Sequence, residues 1–242
     1  MISSWLKLFR AVNLPTVPGD VLAGAAAVSH GAARAGVAAP GLGACAVACA
    51  AAVLIYMFGL ADNDIVGAKG DGPGRPIPAG EISMRAARWA RFLCLFAVAV
   101  AAVAARLPLP WWAVAGALVA AIVTYNRTKW CLAMGACRGL NVVCGGAALM
   151  AGVRGVPVQS WAALLATAAV WTLYVAAVTK YSEGEECDDE KRRRVGFLVG
   201  AIVYLQLVAL ILFGDKYLLV AGAAMLVALR VSRRAMPGVS AS

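Results

Sequence analysis

Long apolar segments, separated by short polar ones, follow each other through the whole chain. Eight of them are about as long as a helix that crosses a lipid bilayer. Their apolar residues do not alternate with period two, so strands do not compete with helices as an interpretation. The pattern predicts an all-α, polytopic membrane helical bundle that forms a single domain over 1–242, with about eight spans near 12–30, 41–62, 86–105, 109–126, 132–153, 160–179, 195–213 and 216–231.

The composition supports a membrane protein. Hydrophobic residues make up 62% of the 242 residues, charged residues only 14%, and the mean hydropathy is +0.80. Soluble domains carry about 25% charged residues. The first segment lacks a signal-peptide cleavage pattern, so we expect it to remain as a span. The seven cysteines contain no C-x-x-C pair, and we interpret them as small packing residues rather than metal ligands or disulfides.

Basic residues predict the orientation of the spans. With the N-terminus inside, 18 of the 22 Lys and Arg residues fall in inside segments, and the four outside are Arg34, Arg106, Arg154 and Lys216. This distribution follows the positive-inside rule and predicts that both termini are cytoplasmic. The formal charge of +10 therefore indicates topology and contact with anionic membrane lipid. We expect no nucleic-acid partner, and the sequence indicates no protein partner.

Acidic residues are concentrated in two of the inside segments. Ten of the twelve lie either between Asp62 and Glu81 or between Glu183 and Glu190. Acids contribute little to topology, so this clustering needs another explanation. Asp20 lies inside the first span, where a lipid-facing carboxylate would be costly, so it pairs with an Arg or lines a cavity.

The first acidic segment reads NDIVGAKGDGPGRPIPAG over 63–80. Carboxylates and an amide follow an apolar run, and a Pro-containing turn follows them. Such oxygen ligands suit Mg²⁺ and the phosphates that Mg²⁺ carries. Two acidic loops above one helical bundle thus suggest a metal–diphosphate site facing a lipid-derived substrate. The alternative is that these acids are simply solvated loop charges.

A short motif occurs twice. Arg10-x-x-Asn13 opens the first span and Arg138-x-x-Asn141 lies early in the fifth, and in each half an acidic loop follows the next span. We interpret this as two pseudo-repeated four-helix halves of the same orientation, with a site between them. The motif is short enough for coincidence to be the alternative.

These motifs together resemble the UbiA superfamily of intramembrane prenyltransferases. The first signature of that family usually reads N-D-x-x-D-x-x-x-D, followed by R-P-I-P-S-G-x-I-S. Here Gly67 replaces the middle Asp, while the R-P-I-P-A-G turn and Ile82-Ser83 are kept. The second family signature, D-I-E-G-D-R, is matched by Y-S-E-G-E-E at 181–186, in which Tyr181 replaces the leading Asp. The family usually has nine helices, whereas we count eight spans.

Other segments resemble the UbiA-like members of ebo-type operons. They are Leu14-Pro15-Thr16 with Asp20-x-Leu22-Ala23-Gly24, the M-G-x-C-R-x-L-N run at 134–141 and the L-Y-V-A-A-V-T run at 173–179. In that subgroup the second acidic motif is often eroded, and a biosynthetic or export-related role is suspected.

The resemblance implies Mg²⁺-dependent transfer of a prenyl group from a prenyl diphosphate to an aromatic or other lipophilic acceptor. Two Mg²⁺ ions would neutralise the diphosphate leaving group. Asn63, Asp64 and Asp71 would hold one ion, and Glu185, aided by Glu183, the other. Catalytic roles fall to Asp64, Asp71 and Glu185. The implied substrate-binding residues are Arg10, Asn13, Asn63, Arg75, Tyr125, Lys129, Arg138, Asn141 and Lys180.

A second function class stays open. A protein with the same fold and eroded acidic motifs could act as a lipid-binding or export-related component without catalysis. Tyr125, Tyr174 and Tyr181 are likewise open between acceptor contacts and an interfacial aromatic belt.

Overall fold

The computed structural model describes residues 2–37, 42–72, 74–150, 158–184, 189–214 and 216–235, and these contain helices and no strands. A short helix and a 3₁₀ helix, Ala11–Thr16, precede the long helices. The helices are α1 (Ile2–Leu8), α2 (Val17–Arg34), α3 (Leu42–Gly67), α4 (Met84–Ala104), α5 (Leu109–Thr128), α6 (Cys131–Leu149), α7 (Val158–Ser182), α8 (Asp189–Phe213) and α9 (Lys216–Ala235). The predicted all-α class is confirmed.

Seven helical segments within the described residues are long and apolar enough to cross a membrane. They correspond to the first seven predicted spans, with ends that differ by a few residues, and the first of them joins the 3₁₀ helix to α2 as Ala11–Arg34. The predicted eighth span is helical in α9, but every stretch of 18 residues in that helix contains three Lys or Arg residues. The chain is a polytopic membrane bundle.

Glycines bring α2 and α6 into backbone contact at the centre of the bundle. A Cβ added at Gly24 would lie 1.8 Å from the carbonyl oxygen of Val142, and one added at Gly145 would lie 1.9 Å from that of Val21. Neither site accepts a side chain without separating the helices. Close approach through small residues is how helices gain packing energy in lipid. The contact joins the first spans of the two predicted halves.

The R-P-I-P-A-G turn is fixed by a small core of its own. Ile82 is buried with Leu8, Ala61 and Ala87, away from the main core. The turn closes through a hydrogen bond from the Ile82 N–H to the Pro76 carbonyl, and Gly80 takes the left-handed conformation (φ +71°) that glycine adopts without strain. The turn therefore holds the end of the first acidic loop against α1, α3 and α4.

The described cysteines, which exclude Cys187, are all free thiols. Cys45, Cys94 and Cys144 are buried in the bundle. This agrees with their interpretation as packing residues.

Candidate active site

A cavity of about 400 Å³ opens between α3, α5 and α6. One part of its wall is apolar and is formed by residues such as Ala52, Ile55, Leu118 and Ile122. The other part is polar, and eight residues that the sequence proposed for the site line it: Arg10, Asn63, Asp71, Arg75, Tyr125, Lys129, Arg138 and Asn141. The cavity thus joins a charged region to a wall that suits a hydrocarbon.

Lys129 lies at the turn between α5 and α6, with a left-handed backbone (φ 54°). Its ammonium donates a hydrogen bond to Oδ1 of Asn63, near the end of α3. The same ammonium lies 5.4 Å from the ring centroid of Tyr125. Partial burial lowers the pKa of Lys129. The positive charges of Arg10 and Arg75 lower it too, whereas Asp71 and Asp64 raise it.

Asp64 is buried next to the cavity, with 1% of its surface exposed. Its closest charged partner is Arg75, whose Nη1 lies 3.6 Å from Oδ1. Both carboxylate oxygens are buried, and neither accepts a hydrogen bond from the described part of the chain. A buried carboxylate without donors is costly, so Asp64 is available to a cationic or hydrogen-bonding ligand.

Asp71 takes up the space that Gly67 leaves open. The N–H of Asp71 donates to the Gly67 carbonyl at 2.9 Å, which folds the loop back onto the end of α3. A Cβ added at Gly67 would lie 2.5 Å from Oδ2 of Asp71. The missing side chain at 67 therefore permits the carboxylate of Asp71 to lie against the helix end.

Arg138 reaches the cavity from α6, held by a carboxylate on α2. Asp20 Oδ2 accepts hydrogen bonds from Nη1 of Arg138 at 2.8 Å and from Nδ2 of Asn141 at 3.1 Å. Its Oδ1 accepts from Nε1 of Trp171 at 3.0 Å and from Nε2 of Gln206 at 2.7 Å. The sequence left open whether Asp20 pairs with an Arg or lines a cavity, and the structure shows that it pairs with Arg138. The network connects α2 with α6, α7 and α8.

Comparison with solved structures identifies this architecture. A structure of digeranylgeranylglyceryl phosphate synthase in membranes is similar over 98% of this chain and 89% of its own, with TM-score 0.57 and 17% identity. A UbiA homologue from Archaeoglobus fulgidus bound to DMAPP and Mg²⁺ is similar over 99% of this chain and 88% of its own, with TM-score 0.54 and 15% identity. The chain has the UbiA fold. No protein-family model matches the sequence, and no curated protein is significantly similar to it in sequence.

The same homologue bound to GPP and Mg²⁺ is similar over 99% of this chain and 89% of its own, with TM-score 0.50 and 15% identity. At such identities the likeness shows the UbiA fold. The finer assignment to the ebo-type subgroup stays a prediction, as do the roles of the individual site residues.

The second acidic loop does not contribute to the cavity through its described residues. Lys180 and Glu183 are exposed and pair with each other at 2.8 Å at the end of α7. Neither lines the cavity. Glu185 lies outside the described residues.

Three further residues that the sequence proposed or left open as contacts lie elsewhere in this UbiA fold. Asn13 is buried in the 3₁₀ helix and does not line the cavity. Tyr174 donates a hydrogen bond to the Leu198 carbonyl at 2.7 Å, and Tyr181 lies beneath the ammonium of Lys191. Of the three tyrosines that the sequence left open, Tyr125 lines the cavity.

Three residues near the site were missed or misread in the sequence. Tyr56 lines the cavity, and its ring centroid lies 5.8 Å from the Arg138 guanidinium carbon. Asn126, a polar residue within an apolar span, also lines it and bonds to Asp62. That bond and the ion pair to Arg91 occupy Asp62, so this acid connects α3 to α4 and α5. The sequence could have indicated Asn126, because it is a polar residue within an otherwise apolar segment.

The residues that could hold Mg²⁺ fit one ion better than two. Asp64 offers a buried carboxylate without hydrogen-bond donors, and Asp71 lies in the same charge cluster. Hard oxygen donors of this kind suit Mg²⁺, which also takes phosphate oxygens and water as ligands. Within the described ranges, no three His, Cys, Asp or Glu residues come together as a possible metal site.

Proposed function

We infer that this protein is an intramembrane prenyltransferase of the UbiA type. It transfers a prenyl group from a prenyl diphosphate to an aromatic or other lipophilic acceptor. The observation that carries this proposal is the cavity, in which cationic side chains and a carboxylate adjoin an apolar wall within a membrane bundle. A prenyl diphosphate has the same division, with a highly charged head and a hydrocarbon tail.

The side chains have separate tasks in this proposal. Arg10, Arg75, Lys129 and Arg138 bind the diphosphate, since guanidinium and ammonium groups donate charge-assisted hydrogen bonds to phosphate oxygens. The apolar wall receives the prenyl chain and excludes water from it. Asp64 and Asp71 hold Mg²⁺, which supplies positive charge that stabilises the departing diphosphate.

The reaction needs no covalent intermediate on the protein. The bond between C1 of the allylic group and the diphosphate oxygen breaks, and the diphosphate keeps the electron pair. The acceptor then forms a bond to the allylic carbocation and loses a proton. Cationic donors placed beforehand around the leaving group lower the barrier, because they stabilise charge that develops as the bond breaks.

A second candidate function is a lipid-binding component without turnover. The exposed Lys180–Glu183 pair favours it, since this pair lies in the loop to which the sequence assigned the second metal ion and does not line the cavity. Binding of prenyl diphosphate is common to both candidates, so turnover distinguishes them.

The test is diphosphate release from several prenyl diphosphates, with a panel of lipophilic acceptors and saturating Mg²⁺. We expect release by the native protein and by Lys69→Gln, which removes a charge at an exposed residue just after α3. Asp64→Ala should release none. Release by the native protein that does not exceed the Asp64→Ala background would support the lipid-binding alternative.

The charge distribution supports an integral membrane protein with both termini and both acidic loops on the cytoplasmic side. We expect a cysteine introduced at Lys69, in a variant without reactive native thiols, to be labelled by an impermeant reagent from the cytoplasmic side alone. Labelling from the outside would contradict the orientation and the cytoplasmic position of the site.

A further inference from the structure

We propose that the cavity binds its prenyl diphosphate together with a single divalent ion. Cationic side chains of the protein then neutralise the diphosphate charge that a second ion would otherwise neutralise. This inference rests on the proposed prenyl diphosphate substrate and specifies how that substrate is held. It departs from the two-ion site that the sequence motifs imply.

The charges around the cavity favour one ion. Arg10, Arg75 and Lys129 lie within electrostatic reach of one another and of Asp64 and Asp71. Three cations and two carboxylates give this cluster a net charge of plus one. One divalent ion raises the total to plus three, which balances the charge of about minus three on a prenyl diphosphate, and a second ion would leave an excess of two.

Arg138 does not change this balance. Its guanidinium is paired with the buried carboxylate of Asp20, so the two charges cancel. Arg138 still lines the cavity and can donate hydrogen bonds there without adding net charge.

The hydrogen bonds point to the same conclusion. The amide oxygen of Asn63 is an expected metal ligand, but here it accepts a hydrogen bond from the Lys129 ammonium. The Lys129 ammonium thus lies against the amide oxygen that would otherwise coordinate a divalent ion. Asp64 and Asp71 remain as carboxylate ligands, which with diphosphate oxygens and water suffice for one Mg²⁺.

Two of the cations are held by strained backbone. Arg10 (φ 39°) and Lys129 (φ 54°) are two of the three non-glycine residues with positive φ in the described ranges. Such conformations are costly for residues with a side chain and cluster at functional sites. The Nε of Arg10 is buried and has no hydrogen-bond partner among the described residues, so it is available to an acceptor in the cavity.

The test counts metal ions per bound substrate. The purified protein in detergent is dialysed against geranyl diphosphate and Mn²⁺, and bound Mn²⁺ is measured by electron paramagnetic resonance alongside bound diphosphate. We expect one Mn²⁺ per bound geranyl diphosphate at saturation. Two Mn²⁺ per bound diphosphate would overturn the inference and leave the proposed function intact.

Variants make the result sharper. Lys129→Gln should weaken geranyl diphosphate binding at least tenfold at saturating Mn²⁺, whereas Lys69→Gln, the matched control, should not. Glu185→Gln should keep one Mn²⁺ per diphosphate, and a lower ratio in that variant would overturn the inference. Failure of the folded native protein to bind geranyl diphosphate at any Mn²⁺ concentration would overturn the proposed function, and this inference with it.

Discussion

Asp20 and Asp64 are both buried carboxylates in this bundle, with 0% and 1% of their surface exposed, but their surroundings differ. Asp20 accepts hydrogen bonds from four side chains on three helices: Arg138, Asn141, Trp171 and Gln206. Asp64 has an ion pair to Arg75 at 3.6 Å and accepts no hydrogen bond from the described residues. The contrast separates a carboxylate whose hydrogen bonds connect four helices from one whose oxygens have no hydrogen-bond donor among the described residues.

The energetic consequences of removing each carboxylate should also differ. Loss of one partner from a buried, hydrogen-bonded charge pair leaves the other charge uncompensated. At Asp20 that charge is Arg138, whose side chain is only 15% exposed. At Asp64 the partner is Arg75, which is 34% exposed and can be solvated by water. We therefore expect stability to depend on Asp20 and ligand binding to depend on Asp64.

The largest expected effect is that of Asp20→Asn on stability. All four partners of Asp20 donate hydrogen bonds, so the amide NH₂ would face donors, and Arg138 would lose its counter-charge. We expect the free energy of unfolding to fall by about 3–5 kcal/mol. Unfolding by sodium dodecyl sulfate in mixed micelles measures it.

Asp64→Asn is the matched control, since it makes the same chemical change at an equally buried position. It should change the free energy of unfolding by less than about 1 kcal/mol, because few native contacts are lost. A similar fall in the free energy of unfolding in both variants would contradict the claim that stability depends on Asp20 more than on Asp64.

The sequence predicts the fold better than it predicts the surroundings of the two carboxylates. The apolar segments predicted the bundle and its spans, because a bilayer requires long apolar helices. The partner of Asp20 could not be identified, since Arg138 lies 118 residues away and only helix packing brings it near. The lack of hydrogen-bond donors around the Asp64 carboxylate is a property of the folded structure. A sequence motif does not show which donors lie near a carboxylate. The predicted eighth span, 216–231, ends before Arg233 and Arg234, which α9 includes in its last turn.

The UbiA-like signature indicated the first loop as part of a site, and Asp71 and Arg75 of that loop line the cavity. They gave no indication that Lys129 would bond to Asn63 across 66 residues. The motif in the first loop contains the expected oxygen ligands, whereas the cation beside them, Lys129, lies at the end of α5. The two-ion site predicted from the sequence rests on these oxygen ligands and takes no account of the neighbouring cation.

A smaller effect is expected from the titration of Lys129. Partial burial lowers the pKa of its ammonium below the ordinary 10.5, with Arg10 and Arg75 acting in the same direction, against Asp71 and Asp64. Affinity for geranyl diphosphate should therefore fall, by up to about tenfold, as the pH rises through this lowered pKa and the ammonium is lost. Calorimetric titration over a pH series measures the loss.

Lys129→Arg separates this effect from the titration of other groups, because a guanidinium stays charged over the whole range. The variant should keep its affinity where the native protein loses it. Unfolding does not explain the loss, since a lowered pKa means that the folded state binds fewer protons between that pKa and 10.5, and this contribution to stability rises with pH there. Parallel curves for the two proteins would assign the pH dependence to another group.

The most direct test of the account is the affinity of Asp64→Asn for geranyl diphosphate, measured by calorimetry at saturating Mg²⁺ beside the native protein. We expect binding to weaken tenfold or more, about 1.4 kcal/mol, while the free energy of unfolding of the ligand-free variant stays close to the native value. Native-like affinity in this variant would contradict the claim that Asp64 is the carboxylate of the ligand site.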